Sequence, residues 1–282
     1  MIPAGRPFHK MSGSGNDFVM VDARSEPPGW LAEPQNVQRV CARATGVGAD
    51  GIVFLEPSSV AAVRLNYLNA DGSPADLCGN ATLCTTRLAV ELGMADPAGF
   101  DIETPSGIVR ARLAAKLPAI DLQPVIDVRA VAEGIEPRVG ERRVGFAMVG
   151  VPHIVILCED VATVDVGGRG RQLRHHPTMP HGANVNFVTQ GAHGRWRMRT
   201  YERGVETETL ACGSGSVATA ILLSTWGEVG SATPTDDAAV RIEIETSSGR
   251  ILSVGLTRRS DAWRPTLSGE ARIVFQGLLA EL

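Results

Sequence analysis

The sequence has no strong excess of either charge and no long apolar segment, and each absence excludes a broad class of protein. Its 282 residues include 27 basic and 31 acidic side chains, and the net charge is −4. Because both signs are mixed along the chain, we expect neither nucleic acid nor an anionic membrane as a partner. No apolar run approaches the ~20 residues that a membrane helix needs. The length and the 44% of apolar residues predict a globular protein with two domains.

The chain is also poor in lysine and lacks the features of an export signal. Lys10 and Lys116 are its only lysines, and no local motif indicates a bound cofactor, so none is expected. The opening residues, Met1 to Arg6, do not contain the apolar core of a signal peptide. We therefore expect a cytoplasmic protein.

Cysteine is scarce, and its spacing argues against two common uses. An odd number of cysteines without an export signal argues against a disulfide framework. No two cysteines have the spacer of about two to four residues found in structural zinc sites, and His175-His176 lie far from any of them, so no metal site is expected. Taken alone, any one of these cysteines is best explained as a small buried hydrophobe. The five are Cys41, Cys78, Cys84, Cys158 and Cys212.

The sequence consists of two similar halves. When Cys78-Gly79-Asn80 is placed over Cys212-Gly213-Ser214, the residues up to Gly93 and Gly227 match in length and character. The same offset places Gly48-Ala49-Asp50 over Gly182-Ala183-Asn184, and Asn69 over Arg203. Because these correspondences occur in the same order, we interpret the chain as two homologous halves.

Short strands outnumber helices in both halves. Two clear helices begin just after Cys78 and Cys212 and end at Gly93 and near Gly227, where glycine supplies a C-cap. Because the helices do not alternate regularly with the strands, we expect an α+β fold of two homologous domains, each a mainly antiparallel sheet around one central helix. The predicted strands are Phe18–Val21, Gly51–Leu55, Val63–Leu68, Gly107–Leu113, Val144–Met148, His153–Leu157, Asn186–Thr189, Trp196–Tyr201, Val240–Glu245 and Arg250–Leu256.

A cysteine at a helix start can be chemically reactive in a way that a cysteine buried in the core is not. The unpaired N–H groups and the macrodipole of the first turn stabilise a thiolate and also bind a carboxylate. One such cysteine is more often structural, but two at equivalent positions of a repeat favour chemistry. A pseudo-two-fold axis would bring Cys78 and Cys212 to opposite faces of one ligand. Such a pair can invert a carbon that bears hydrogen, because one thiolate removes the proton and the other thiol delivers one.

Four segments resemble the diaminopimelate epimerase family, and together they extend over essentially the whole chain. They are Phe8 to Phe18, Asn69 to Ser73 with Leu77 to Asn80, Tyr201 to Gly204 with Glu208 to Gly215, and Leu267 to Phe275. The resemblance implies two similar domains around a central cleft, with the last strand returning to the first domain. It places the N-terminal domain at residues 1–122 plus 267–282 and the C-terminal domain at 123–266. It further implies a small amino-acid substrate, no cofactor and a cytoplasmic homodimer.

The resemblance also assigns roles to individual residues. Cys78 and Cys212 are expected to be the acid/base residues, and His153 and Glu202 are expected to adjust the pKa values of these thiols. The residues expected to bind substrate are Asn16, Asn69, Gly79, Asn80, Asn184, Glu202, Arg203, Gly213 and Ser214.

Three departures from the family pattern concern the substrate more than the reaction. Val151 stands where an asparagine is usual, Gly51 occupies a position that is glutamine in some members, and one extra residue lies within Val205-Glu206-Thr207. The main alternative is a cofactor-independent racemase or epimerase of another amino acid, such as proline, hydroxyproline or histidine. A thiol redox sensor and a noncatalytic amino-acid-binding protein are alternatives of other classes.

Overall fold

The computed structural model describes residues 5–75, 78–191, 194–229 and 239–280. The chain forms two compact units, Met1–Ile120 with Ser268–Leu282, and Asp121–Leu267. The divisions expected from the sequence lay after residues 122 and 266. Within the described ranges, none of the helices has both the length and the apolar character needed to span a membrane.

The first unit is a mixed sheet whose strands are joined in the order β17-β1-β2-β3-β4-β5-β6. The ladders β17–β1, β1–β2, β3–β4 and β5–β6 are antiparallel, and β2–β3 and β4–β5 are parallel. Its strands are β1 (Pro7–Gly13), β2 (Asn16–Asp22), β3 (Gly51–Glu56), β4 (Val63–Asn69), β5 (Phe100–Thr104), β6 (Gly107–Ala114) and the returning β17 (Ala271–Leu278). The strand β7 (Leu117–Asp121) leads out of the unit, and the helices are α1 (Pro34–Cys41) and α2 (Gly79–Glu91).

The second unit repeats this plan in the order β8-β9-β10-β11-β12-β14-β15. The ladders β8–β9, β9–β10, β11–β12 and β14–β15 are antiparallel, whereas β10–β11 and β12–β14 are parallel. Its strands are β8 (Val128–Arg129), β9 (Glu141–Val149), β10 (Val151–Cys158), β11 (Asn184–Gln190), β12 (Trp196–Glu202), β13 (Thr207–Thr209), β14 (Val240–Glu245), β15 (Ile251–Arg259) and β16 (Ala262–Gly269). Its helices are α3 (Val166–Arg174) and α4 (Gly213–Thr225), and β13 pairs antiparallel with β12.

The succession of antiparallel and parallel ladders is therefore the same in the two units, as the sequence repeat predicted. Even an ion pair between equivalent strands is repeated. Arg64 of β4 contacts Glu103 of β5 at 2.9 Å, and Arg197 of β12 contacts Glu245 of β14 at 4.0 Å. The two halves therefore share the order and direction of their ladders, although their sequences differ at most positions.

Each unit encloses one central helix. α2 packs against β1, β4, β6 and β17, and α4 packs against β8, β9, β10, β11 and β15. Both helices consist mostly of buried small and apolar residues, which suits a helix that is covered on nearly every side. Gly93 and Gly227 follow their C-caps with φ values of 66° and 74°, the left-handed conformation that glycine adopts readily. The predicted helices thus begin and end where the sequence indicated.

Candidate active site

The first candidate thiol lies at the N-cap of α2. Cys78 has an extended backbone (φ −123°, ψ 111°), and its carbonyl oxygen accepts hydrogen bonds from the backbone N–H and the hydroxyl of Thr82, both at 2.9 Å. Its side chain is half-buried. The helix then begins with Gly79-Asn80, so the first backbone N–H groups of α2 follow the thiol directly.

The second candidate thiol has the same position and nearly the same backbone conformation. Cys212 is the N-cap of α4, with φ −131° and ψ 111°. Its sulfur accepts a hydrogen bond from the backbone N–H of Gly215 at 3.3 Å and lies 3.6 Å from the hydroxyl of Ser214. An amide N–H directed at the sulfur favours the thiolate over the thiol, because the donor stabilises negative charge.

A chain of hydrogen bonds orders the polar side chains near Cys78. The amide nitrogen of Asn80 donates to Asn16 Oδ1 at 2.6 Å, and the amide nitrogen of Asn16 donates to Asp50 Oδ2 at 3.0 Å. The same Asp50 oxygen accepts the backbone N–H of Asp17 at 3.1 Å. Because Asp50 can only accept when ionised, it fixes which way the Asn16 amide faces.

Two basic side chains contact Asp17, whose backbone N–H is part of this network. Lys10 Nζ donates to Asp17 Oδ2 at 2.6 Å and also to the carbonyl of Gly48, and Arg43 contacts Asp17 at 2.9 Å. Burial opposes ionisation of Asp17, but the hydrogen bonds from Arg43 and Lys10 outweigh it and leave the pKa of this carboxyl below its usual value. The negative charge on Asp17 is thus held by two cations.

Asn69 and Arg203 occupy equivalent ends of strands in the two units. Asn69, the last residue of β4, donates from its amide nitrogen to the hydroxyl of Ser73 at 3.1 Å. Arg203 follows β12, and its backbone N–H donates to Asn184 Oδ1 at 2.7 Å. The Arg203 guanidinium donates to the carbonyl oxygen of His181 at 3.1 Å. The second unit therefore brings Asn184 and Arg203 together.

His153 lies fully buried in β10, beside Asn184 of β11 in the parallel ladder. Burial, with a contribution from the positive charge of Arg203, lowers the pKa of His153 to about 3. The imidazole is therefore neutral throughout the physiological range. Any effect of His153 on a thiol must come from a neutral N–H or a lone pair and not from a positive charge.

Glu202 ends β12, where it pairs with Thr207 of β13. The extra residue noted in the sequence lies in the connecting turn, in which Glu206 has a φ of 60°. The Glu206 carboxylate accepts from the backbone N–H of Gly204 and from Arg174, both at 3.0 Å. These contacts stabilise the turn that follows Glu202 and Arg203.

In the described part of the chain, no group of three or more His, Cys, Asp or Glu side chains is arranged to hold a metal ion. All five cysteines are described, and none forms a disulfide.

The sequence model of the family described as diaminopimelate epimerase matches residues 8–121 and 145–254, which include both cysteine-led helix starts. The chain belongs to the diaminopimelate epimerase family. It is 48% identical to a diaminopimelate epimerase of Gemmatimonas aurantiaca over 98% of this chain and 99% of that relative. It is 34% identical to the diaminopimelate epimerase of Aquifex aeolicus, over 97% of this chain and 98% of the relative. The family and the isomerase class expected from the sequence are thereby confirmed.

Solved structures of low sequence identity share the fold. A phenazine biosynthesis protein of the PhzF family from Bacillus anthracis has a TM-score of 0.74 at 17% identity and covers 99% of this chain and 100% of its own. A probable proline racemase from Agrobacterium radiobacter has a TM-score of 0.71 at 18% identity, covering 98% and 93%. The predicted α+β fold of two homologous halves is confirmed.

The glycine at position 51, where some family members have glutamine, has a steric explanation. A Cβ atom on this first residue of β3 would lie 2.5 Å from the carbonyl oxygen of Leu68 and would overlap the ring of Tyr67. A glutamine therefore does not fit here unless the neighbouring strand moves. Val151, the other departure, begins β10, where it pairs with Val149 and is half-buried.

Two polar residues, one in each unit, were not singled out as site residues from the sequence. Asp50 was used only to align the repeat, although it orients Asn16. Asn186 is fully buried between Val185 and Phe187 in β11. A lone asparagine inside an apolar strand is the signal that was available for Asn186, because a buried amide must find partners.

Proposed function

We propose that this chain interconverts LL- and meso-2,6-diaminopimelate without a cofactor, and that Cys78 and Cys212 are its acid/base residues. The observation that carries the proposal is the repetition of one arrangement in a diaminopimelate epimerase family member. A cysteine with extended backbone stands at the N-cap of the buried central helix in each unit.

The proposed reaction needs two groups that exchange a proton with carbon. A thiolate takes the hydrogen from the α-carbon as a proton, and the electron pair of the C–H bond passes to the carbon and its carboxylate. A thiol on the opposite face then gives its proton to the same carbon, which inverts the centre. The reverse reaction exchanges the two roles, so no proton is gained or lost overall.

The carboxylate of the reacting centre gains negative charge when the α-carbon loses its proton. We assign its binding to the first-turn N–H groups at Gly79-Asn80 and Gly213-Ser214, because fixed N–H dipoles stabilise the developing charge without reorganising. The remaining binding residues, Asn16, Asn69, Asn184, Glu202 and Arg203, are assigned to the substrate's amino and carboxylate groups, chiefly at its distant end.

Arg203 is the residue that best explains a second carboxylate on the substrate. A guanidinium binds a carboxylate through two parallel hydrogen bonds, and such charge-assisted contacts are about twice as strong as neutral ones. The bond from its backbone N–H to Asn184 links the two candidate binding residues. A site built for this carboxylate rejects ligands that lack it, because the arginine would lose its partner.

The decisive experiment follows hydrogen exchange at the α-carbon. The reduced protein is incubated with LL-diaminopimelate in deuterium oxide, and the meso isomer and the incorporated deuterium are measured together. Lysine, histidine and proline are tested in parallel at the same concentration. We expect rapid exchange with diaminopimelate and very slow exchange with the others. Faster exchange of any of the three would transfer the proposal to a racemase of that amino acid.

We further propose that the protein works in the cytoplasm as a homodimer. Three apolar side chains on β17 support the dimer, because Val274, Phe275 and Leu278 are 48%, 47% and 66% exposed. Neighbouring apolar side chains on one exposed strand are typical of a surface that another chain covers.

A further inference from the structure

Asn186 makes three hydrogen bonds from a fully buried amide, and together they fix its orientation. The amide nitrogen donates to the carbonyl oxygen of Ile154 at 3.1 Å, and it lies 3.2 Å from His153 Nδ1. The amide oxygen accepts from the hydroxyl of Thr200 at 3.0 Å. Turning the amide over would place its oxygen against the Ile154 carbonyl, where neither group can donate.

The orientation of Asn186 determines the state of His153. Since the NH₂ group faces Nδ1, this ring nitrogen must be the acceptor, and the proton of a neutral imidazole must lie on Nε2. Protonation of Nδ1 would set two donors against each other, which agrees with the low pKa of this histidine. Among the described residues His153 Nε2 has no hydrogen-bond partner, although it is buried.

Asn186 also packs against the first turn of α4. A Cβ atom on Gly215 would overlap Asn186 Oδ1 and would lie 3.1 Å from the sulfur of Cys212. The glycine thus lets the amide pack against the turn whose N–H donates to that sulfur. The candidate thiol, the amide and the candidate histidine are consecutive neighbours within one unit.

We propose that Asn186 is a positioning residue that holds His153 as the Nε2–H tautomer, so that a buried N–H is kept for an anionic acceptor. The acceptor is a sulfur or carboxylate oxygen that becomes negative during the reaction. This inference rests on the proposed function, because the donor serves the reaction only if thiolate and carboxylate chemistry occurs there. Without Asn186, the ring is free to protonate Nδ1 instead and withdraw the donor.

Nitrogen-15 NMR of the histidine side chains tests the tautomer without any measurement of activity. The signals of His153 are assigned by their loss in the H153Q variant. We expect a pyrrole-type Nε2 and a pyridine-type Nδ1 that do not titrate between pH 5 and pH 9, pH values that lie above the pKa of about 3. A pyrrole-type Nδ1 in the wild-type protein would overturn the proposal whether or not the protein is an epimerase.

Two variants test the role of the amide. In N186D the carboxylate accepts from the ring, so the proton should move to Nδ1, and the negative charge should raise the pKa of His153. The matched control T200V removes the hydrogen bond on the other side of the same amide and should keep the wild-type NMR pattern. If N186D does not fold, N186A is measured instead. It lacks the NH₂ group that faces His153 Nδ1, so this ring nitrogen should no longer be fixed as the acceptor. An unchanged pattern in a folded Asn186 variant would overturn the proposal.

Kinetics then separate positioning from a merely structural role. Loss of one charge-assisted hydrogen bond predicts a kcat about tenfold lower in N186D, with a much smaller change in KM. Addition of diaminopimelate should shift the Nε2–H signal of the wild-type protein. A shift that persists in the C78S/C212S double variant identifies a carboxylate as the acceptor, and a shift that requires the cysteines identifies a thiolate. No shift in either protein would contradict the proposal.

Discussion

Among the five thiols, position at a helix start separates the two candidates from the rest, since Cys212 is as buried as the other three. Burial raises the pKa of Cys41 and of Cys158 to about 12, and it raises the pKa of Cys84 as well. These three thiols stay protonated at neutral pH and have the character of small buried hydrophobes. Cys78 and Cys212 differ because both stand at helix starts.

Replacing either candidate thiol should nearly abolish the reaction. A serine hydroxyl is too weak an acid and base to exchange protons with carbon, so C78S and C212S should each lower kcat by about 10² to 10⁴. C158S is the matched control, since Cys158 is buried in β10 away from any helix start, and it should keep most of the activity. A single mutant at Cys78 or Cys212 with more than about a tenth of the wild-type rate would contradict the two-base assignment.

Arg203 should control the affinity for substrate more than the rate of the chemical step. Loss of a charge-assisted contact to the distal carboxylate predicts that R203A raises KM for diaminopimelate by about 10 to 100-fold. R197A is the control, because Arg197 lies on β12, the strand that Arg203 follows, but is paired with Glu245 and half-exposed. Steady-state assays of both variants decide the point. Equal KM values for R203A and the wild type would remove Arg203 from the binding site.

Some of these residues were predictable from the sequence, and others were not. Cys78 and Cys212 were found because the repeat placed them at matching helix starts. The role of Asn186 depends on His153 and Ile154 of β10 and on Thr200 of β12, the two strands that flank its own strand in the sheet. Such contacts become visible only when the register of the strands is known, since periodicity along one strand does not encode its partners.

Among the helices and strands, those with a strong sequence pattern were predicted, whereas those with a weak pattern were not. Nine of the ten predicted strands lie within β2, β3, β4, β6, β9, β10, β11, β12 and β14, and the tenth, Arg250–Leu256, begins one residue before β15. The helix α3 was missed because Gly167, Gly168 and Gly170 lie within its nine residues, and each glycine costs about 1 kcal/mol of helix propensity. Tertiary contacts offset this cost. The Asp165 side chain caps the helix, and Gly170 packs where a Cβ would be 2.5 Å from Tyr201.

A buried ion pair anchors α3 to β9 and should be important for stability. Arg169 donates to both carboxylate oxygens of Glu141 at 2.9 Å, and the two side chains are 9% and 7% exposed. E141Q leaves the guanidinium buried without its counter-charge, so the free energy of unfolding should fall by about 3 to 5 kcal/mol. The exposed pair Arg195–Glu243 supplies the control, and E243Q should change stability by less than about 1 kcal/mol. Chemical denaturation measures both, and equal effects would contradict the distinction.

The first turn of α4 should tolerate no side chain at Gly215. A methyl group there would overlap Asn186 Oδ1, so G215A should destabilise the protein by about 1 to 3 kcal/mol and reduce activity. In α3, a Cβ on Gly167 would meet Asp165 Oδ1 at an ordinary 3.7 Å. G167A should therefore stabilise by about 0.5 to 1 kcal/mol through helix propensity alone. Thermal unfolding compares the two substitutions. A G215A protein as stable and active as the wild type would show that this turn has room for a side chain.

For the whole molecule, the repeat explains why so much of the plan was readable. Two halves with the same order of ladders present each strand pattern twice, so a weak signal in one half is supported by its counterpart. β17 does not gain this support from the repeat. It follows the second half in sequence but pairs with β1 of the first unit, from Pro7 opposite Leu278 to Gly13 opposite Ala271. Its place in the fold depends on a pairing between the two ends of the sequence.

The exposed surface of β17 should determine the oligomeric state. Phe275 contacts the ring of Phe8 edge-on at 5.9 Å, yet it remains 47% exposed beside Val274 and Leu278. If a second copy covers this strand, F275D would bury a charge in the interface and convert a dimer into a monomer. V139D is the control, because Val139 is a fully exposed valine of the second unit. Sedimentation velocity at micromolar concentrations should find dimers for the wild type and V139D and monomers for F275D. A wild-type monomer, or an F275D dimer, would exclude β17 as the interface.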